Sequence, residues 1–230
     1  MKFIQFEPIY NLNTKKIIGI DETGVGDYFG FVVSCAAYVP INKLDWVNSL
    51  GVKDSKKLTD KKIKEIASLL AKEIYFSTHF FTTKEYNDLN QTLNANEIKM
   101  LLHLKTIEKL QNKIDKIDYI FIDQYSTFSS IVKYYEKFLE KENKEKYQIA
   151  EIKHDVLLSN KAEDLNINVA CASIIARALF LDLMAQKNKL YNVVFPFGAG
   201  EKVKLFASKL FENKDKNFVY EVAKIKFKMI

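Results

Sequence analysis

The 230-residue sequence predicts an α/β domain built on a mixed central sheet with helices on its faces. Apolar, β-branched runs alternate with stretches of helical apolar spacing, and two of the runs flank a glycine-rich turn. In addition, 48% of the residues are hydrophobic while only 7 are Gly and 3 Pro, which supplies a core and leaves little room for long linkers. This length suits one domain, residues 1–230, with a helical C-terminal extension from about residue 188.

Residues 16–38 read as strand, turn, strand. The first run, Lys16 to Ile20, ends at Asp21-Glu22; after Gly24, Gly26 and Gly30 the second extends from Phe31 to Val39. Both are nearly continuous in apolar residues, so both are expected to be covered on two faces. Asp54 to Thr59 leads into a helix over 60–72, with Thr59 or Asp60 as N-cap. Residues 74–82 alternate as a third strand. Residues 94–113 place Ile98, Leu101, Leu104 and Ile107 at amphipathic helical spacing, and residues 118–123 form a fourth strand ending in a carboxylate. A helix over 131–144, a short strand over 149–154, a long apolar helix over 166–187 and C-terminal helices over 199–210 and 219–226 complete the expectation.

The net charge of +6 fits a polyanionic partner without requiring one. Arg177 is the single arginine, so phosphate contacts would fall to Lys point charges and backbone N–H groups. Cys35 and Cys171 sit in apolar runs and read as buried free thiols. The N-terminus has no apolar stretch with a small-residue cleavage site, and no segment reads as a membrane span; a cytoplasmic monomer is expected.

Three acidic sites carry the chemistry. Asp21-Glu22 ends the first strand, Asp123 ends the fourth, and Glu163-Asp164 precedes the long helix. Were the two strands neighbours, their ends would bring Asp21 and Asp123 together. Each acid alone is most simply a cap or a solvated loop end. Together, charged and unpaired, they must take up protons or bind cations. Oxygen donors with no His or Cys at ligand spacing point to Mg²⁺ or Mn²⁺ rather than Zn²⁺. Two such ions roughly 3.5–4 Å apart suit phosphodiester hydrolysis. Gly24-Val25-Gly26 follows the first acids, where backbone could approach a ribose 2′-hydroxyl; an ordinary hairpin turn explains it equally well. Ser55, Lys53, Lys56 and Lys57 precede a helix N-terminus, a natural phosphate site or a plain charged loop. His79, His103 and His154 are scattered and read as structural or surface. Ser173 either bonds backbone or supports the acids, and Phe76, Phe80 and Phe81 read as core.

The motifs resemble one family in unbroken order. Gly19-Ile20-Asp21-Glu22-Thr23-Gly24-Val25-Gly26-Asp27-Tyr28-Phe29-Gly30 is similar to the first active-site block of type 2 ribonucleases H, and Val52 to Thr59 to the second. Ile122-Asp123-Gln124 resembles the third, and Lys161-Ala162-Glu163 with Val169 to Arg177 the fourth. Asp27-Tyr28-Phe29-Gly30, residues 94–107 and Phe195 to Gly200 look like the ribonuclease HIII branch. The resemblance implies a ribonuclease H-like fold and cleavage of the RNA strand of RNA/DNA hybrids, giving 5′-phosphate and 3′-hydroxyl ends. It implies two Mg²⁺ or Mn²⁺ ions held by Asp21, Glu22, Asp123 and Glu163. It also implies ribose contacts from Gly24, Val25 and Gly26 and phosphate contacts from Ser55 and Lys56. Val25 stands where the HII branch carries Arg and HIII more often Thr, which implies action within RNA runs rather than at single ribonucleotides. Glu163 stands where many members have Asp, and Asp164 is its rival for that place. Only 20 residues precede Asp21, so the N-terminal substrate-binding domain usual in HIII enzymes is expected to be missing and hybrid affinity weaker. The rivals are HII-like incision at single ribonucleotides and a hybrid-binding protein without catalysis.

Overall fold

The structure, a computed structural model, describes residues 1–7, 12, 14–52 and 58–227. Six strands form one sheet: β1 (Phe3–Gln5), β2 (Ile17–Thr23), β3 (Val32–Tyr38), β4 (Tyr75–Phe81), β5 (Tyr119–Asp123) and β6 (Asp155–Ser159), in the order β1-β6-β5-β2-β3-β4. β1, β6, β5 and β2 run parallel, and β3 and β4 are antiparallel additions. The sheet is therefore mixed, as the alternation of elements predicts, and β2 and β5 are neighbours.

Alternation along the strands divides the core in two. Ile18 and Ile20 of β2 and Ile120 and Ile122 of β5 face one side, where α4 (Ala95–Gln111) and α5 (Phe128–Leu139) cover them. Val33, Cys35 and Ala37 of β3 face the other side, under α2 (Asp60–Glu73) and α8 (Ile167–Tyr191). Ile17 and Phe121 pack on that second side against Val169. Both cysteines are buried and free.

Gly19 lets α8 lie directly on β2. A Cβ there would fall 2.2 Å from the Val169 nitrogen, so no other residue allows the approach. Asn166 caps α8, and Asn168 accepts from the Val39 N–H at 2.7 Å, tying the helix start to the end of β3. By length and composition α8 is apolar enough to cross a membrane, which the sequence expectation excluded. Yet 72% of its most apolar window is buried inside the fold, so its all-round apolarity fits a core helix.

Thr59 caps α2 by accepting from the Lys62 N–H, and Asn94 and Glu97 close a capping box at the start of α4. α4 is less one-sided than its spacing suggests: His103 and Thr106 are wholly buried beside its apolar residues. Phe81 is core, whereas Phe80 on the same strand is exposed. The helix expected over 131–144 begins earlier, at Phe128, capped by Thr127, and breaks at Glu140, where an extended backbone separates it from α6 (Lys141–Tyr147).

The strand expected over 149–154 lies later, at β6. Ile149 and Ile152 are buried, but side chains satisfy that segment's backbone: Gln111 donates to the Glu151 carbonyl and accepts from the Lys153 N–H, and Tyr135 accepts from the Ile152 N–H. Among the described residues three short α-helices have no expected counterpart: α1 (Leu44–Ser49), α3 (Thr83–Leu89) and α7 (Ala162–Leu165). At the C-terminus α9 (Glu201–Phe211) matches its expectation. α10 (Lys216–Val222) ends early because the chain turns at Ala223 and sends Lys224 into the interior.

Candidate active site

Register brings the first two acids together. Ile20 pairs with Ile122 in the parallel β2–β5 ladder, so the next residues, Asp21 and Asp123, end the two strands side by side, with backbones about 4.8 Å apart. Because Ile20 and Ile122 face α4, both Asp side chains face α8. There the Ser173 hydroxyl donates to the Asp21 carboxylate. Asp21 Oδ1 also accepts from the Glu22 N–H at 2.8 Å. Burial nevertheless pushes the Asp21 carboxyl well above the usual carboxylate range, and the charges of Glu22 and Asp123 push the same way.

Asp123 is tied to the third acidic segment. Its Oδ1 accepts from the Ala162 N–H at 2.7 Å, at the start of α7. A left-handed Lys161, with φ of 56°, turns the chain into that helix. The next residue, Glu163, is buried, whereas Asp164 faces solvent. Of the two rival carboxylates, the one turned into the protein is thus Glu163.

Glu22 is oriented differently. Adjacent residues of a strand point to opposite faces, and Glu22 turns toward α4. Its Oε2 lies 2.8 Å from His103 Nε2 and its Oε1 lies 3.1 Å from Lys99 Nζ. Burial opposes its ionisation, but His103 and Lys99 outweigh that and hold the carboxyl down at about 2. Tyr125, two residues beyond Asp123, supports both partners. Lys99 Nζ sits 4.7 Å over its ring and the His103 ring meets it edge-on at 5.5 Å.

The glycine turn lies beside these acids. Gly24 has φ of 82°, and a Cβ there would fall 2.0 Å from the Phe31 carbonyl oxygen. A Cβ on Gly26 would meet only open space. Asp27 holds the far end of the turn: its Oδ1 accepts from the Gly198 N–H at 2.6 Å, while the Tyr28 N–H donates back to the Gly198 carbonyl at 2.9 Å. Glu22, Thr23, Leu58, Asp60, Ser173 and Arg177 line the adjoining cleft. Arg177 bonds Asp60 at 3.2 Å and lies over the Phe180 and Phe197 rings, about 5 Å from each centroid. Ser55 and Lys56 lie outside the described residues; the residues just after them, Leu58 and Asp60, do border the cleft.

Asp21 and Asp123 thus lie side by side at one end of the sheet on the α8 side, Asp123 is tied to the α7 segment that carries Glu163, and Glu22 lies beside them but turned to α4. Lys99 and His103 carry no signal that spacing along the chain could reveal. His154 precedes β6 and sits at the opposite end of the parallel strands, away from the acids. Among the described residues no three His, Cys, Asp or Glu side chains converge tightly enough to hold an ion as they stand. The donor chemistry still suits a hard divalent cation: the donors are carboxylate oxygens, and burial and like charge burden Asp21 with a cost that a cation would relieve.

The mixed sheet, with acids at the ends of its adjacent parallel strands, defines a protein of the ribonuclease H-like class. The family described as ribonuclease HII matches residues 18–230. Ribonuclease HIII of Bacillus mycoides is 34% identical over 97% of this chain and 69% of its own length, and that of Listeria monocytogenes is 35% identical over 88% and 63%. The chain belongs to the ribonuclease HIII family. The crystal structure of Bst-RNase HIII in complex with Mn²⁺ superposes with a TM-score of 0.85 at 32% identity, over 94% of this chain and 68% of that one. Aquifex aeolicus RNase H3 gives 0.72 at 25% identity, over 94% and 74%. This chain spans roughly two thirds of the length of these curated relatives.

Proposed function

We propose that the protein hydrolyses the RNA strand of RNA/DNA hybrids internally, leaving 5′-phosphate and 3′-hydroxyl ends, with two Mg²⁺ or Mn²⁺ ions. The observation that carries this is the Asp21–Asp123 pair at the ends of β2 and β5, with Glu163 brought in by α7. Asp21, Asp123 and Glu163 would hold the cations. Glu22 would join them by giving up part of its pairing with Lys99. Bound divalent cations supply activation of a water and stabilisation of the leaving oxygen.

The residues of the chain do the rest. Ser173 and the Glu22 N–H fix the direction of the Asp21 carboxylate, and the Ala162 N–H fixes Asp123. The turn at Gly24-Val25-Gly26 presents backbone to the ribose 2′-hydroxyls, and the open space at Gly26 supports such an approach. Ser55 and Lys56, which precede α2 in the sequence, would serve phosphate.

The test is cleavage of an end-labelled RNA/DNA hybrid in Mg²⁺, in Mn²⁺ and in EDTA, beside duplex RNA, duplex DNA and a DNA duplex with one ribonucleotide. Metal-dependent cuts within the RNA strand of the hybrid are expected. Preferential incision at the single ribonucleotide would favour an HII-like activity instead. Binding without cleavage under every metal condition would leave a hybrid-binding protein.

A further inference from the structure

The Lys224 ammonium, fully buried, sits beneath the glycine turn. Its Nζ donates to the Gly24 carbonyl at 2.6 Å and lies 3.4 Å from the Val25 carbonyl. The chain carries it there from 200 residues away.

What holds Lys224 in place is equally well built. Its own N–H donates to the Tyr28 carbonyl at 3.0 Å. Asn87 of α3 donates to the Tyr220 and Ala223 carbonyls, both at 2.7 Å, and accepts from the Ile225 N–H at 3.1 Å. Lys187 of α8 donates to the Val222 carbonyl at 2.9 Å, and also to Phe29 and Thr83. The Lys224 ammonium stands 5.0 Å from the centroid of the Tyr86 ring. The segment just after α10 is therefore locked to the body of the fold, and Lys224 reaches out of it to the turn.

A trans peptide unit points its C=O and its N–H in opposite directions. Drawing the Gly24 carbonyl inward turns the Val25 N–H outward, and drawing the Val25 carbonyl inward does the same for the Gly26 N–H. At Gly26 the turn borders open space, since a Cβ there would meet nothing within 4 Å. The Gly24 carbonyl also accepts the turn bond from the Asp27 N–H at 3.2 Å, so its direction is fixed twice.

We infer that Lys224 is a positioning residue for ribose recognition: it aims the Val25 and Gly26 amides at the 2′-hydroxyls of the RNA strand. This rests on the reading that the glycine turn faces a hybrid. A buried cation serves because it can satisfy two carbonyls from one point while its stem packs in the interior.

The test is steady-state cleavage of a hybrid, with a DNA duplex of the same sequence as competitor. For Lys224→Met the hybrid KM should rise about tenfold, the loss of one hydrogen bond to a charged group, while the competitor Ki stays constant. Lys187→Met is the matched control. It removes a buried ammonium that bonds Phe29, Thr83 and Val222 and reaches the turn only through the segment carrying Lys224, so it should cost thermal stability and move the KM-to-Ki ratio clearly less than Lys224→Met does. Lys224→Gln keeps a donor and should fall between wild type and Lys224→Met; it carries the test if the Met variant does not fold. An unchanged KM-to-Ki ratio in the folded Lys224 variants, or an equal change in Lys187→Met, overturns the inference. Absence of hybrid cleavage in the wild type would instead overturn the functional reading.

Discussion

Glu22 and His103 stand 81 residues apart in the chain, yet His103 Nε2, wholly buried on α4, meets the largely buried Glu22 Oε2 at 2.8 Å. With Lys99 on the other oxygen, this pair fixes an acid that strand alternation directs away from Asp21. Breaking one partner of a buried pair strands the other. His103→Phe is expected to lower stability by about 3 kcal/mol. The double variant with Glu22→Gln should cost clearly less than the two single losses combined, as urea denaturation would show. Additive losses would mean that the two side chains do not interact energetically.

Asp21→Asn removes a carboxylate that burial and neighbouring acids disfavour. The variant should melt a few degrees higher than wild type in EDTA. Hybrid cleavage should fall by at least about 100-fold, with hybrid affinity retained. Gel-shift and cleavage assays on one preparation separate the two effects. Cleavage at wild-type rate would remove Asp21 from the reaction.

Two glycine substitutions should fail in different ways. Gly19→Ala puts a methyl group against the α8 backbone, and about 3 kcal/mol of stability or soluble expression itself should be lost. Gly26→Ala meets open space, so its melting temperature should stay near that of wild type while the hybrid KM rises. A Gly26→Ala enzyme with unchanged KM would place the substrate elsewhere.

Burial, reinforced by Lys224, pulls the Lys187 ammonium from its ordinary 10.5 down to about 7. Between those values the unfolded chain holds more protons than the folded one, so the contribution of Lys187 to stability grows as pH rises from about 7 toward 10.5. Lys224 is shifted in the same direction. Urea midpoints should therefore increase between pH 7 and pH 9 in wild type, and the increase should be smaller in Lys187→Met. An identical pH slope in both proteins would rule out this burial effect.

The β2–β3 hairpin, α2 with its Thr59 cap, β5 ending at Asp123 and the apolar α8 were all legible in the sequence, because each is a local pattern of apolar period, turn residue or cap. So were Asp21 and Asp123 as partners, since both end strands that turn out to be neighbours. β6 was misplaced because the apolar residues Ile149 and Ile152 bury as well as a strand would, and only the distant Gln111 and Tyr135 reveal that their backbone lies outside the sheet. β1 is three residues long and carries no period at all. Lys99 and Lys224 escaped notice, and His103 was read only as structural or surface, for a related reason. Their significance comes from what they touch across tertiary packing, and an isolated Lys or His looks the same on the surface as in the interior.

The edge strand β1 has a consequence for how the chain is made. Among the described residues its sole neighbour in the sheet is β6, with Phe3 in register with Val156, a separation of 153 residues. During translation β1 emerges long before β6 exists, whereas β2 and β3 can close their hairpin at once. Until then the backbone groups of β1 stay unpaired, so this segment can join the sheet only after residues 155–159 have been made. Slowing synthesis between β5 and β6 should lengthen that exposure, and holding the N-terminal segment with a chaperone should shorten it.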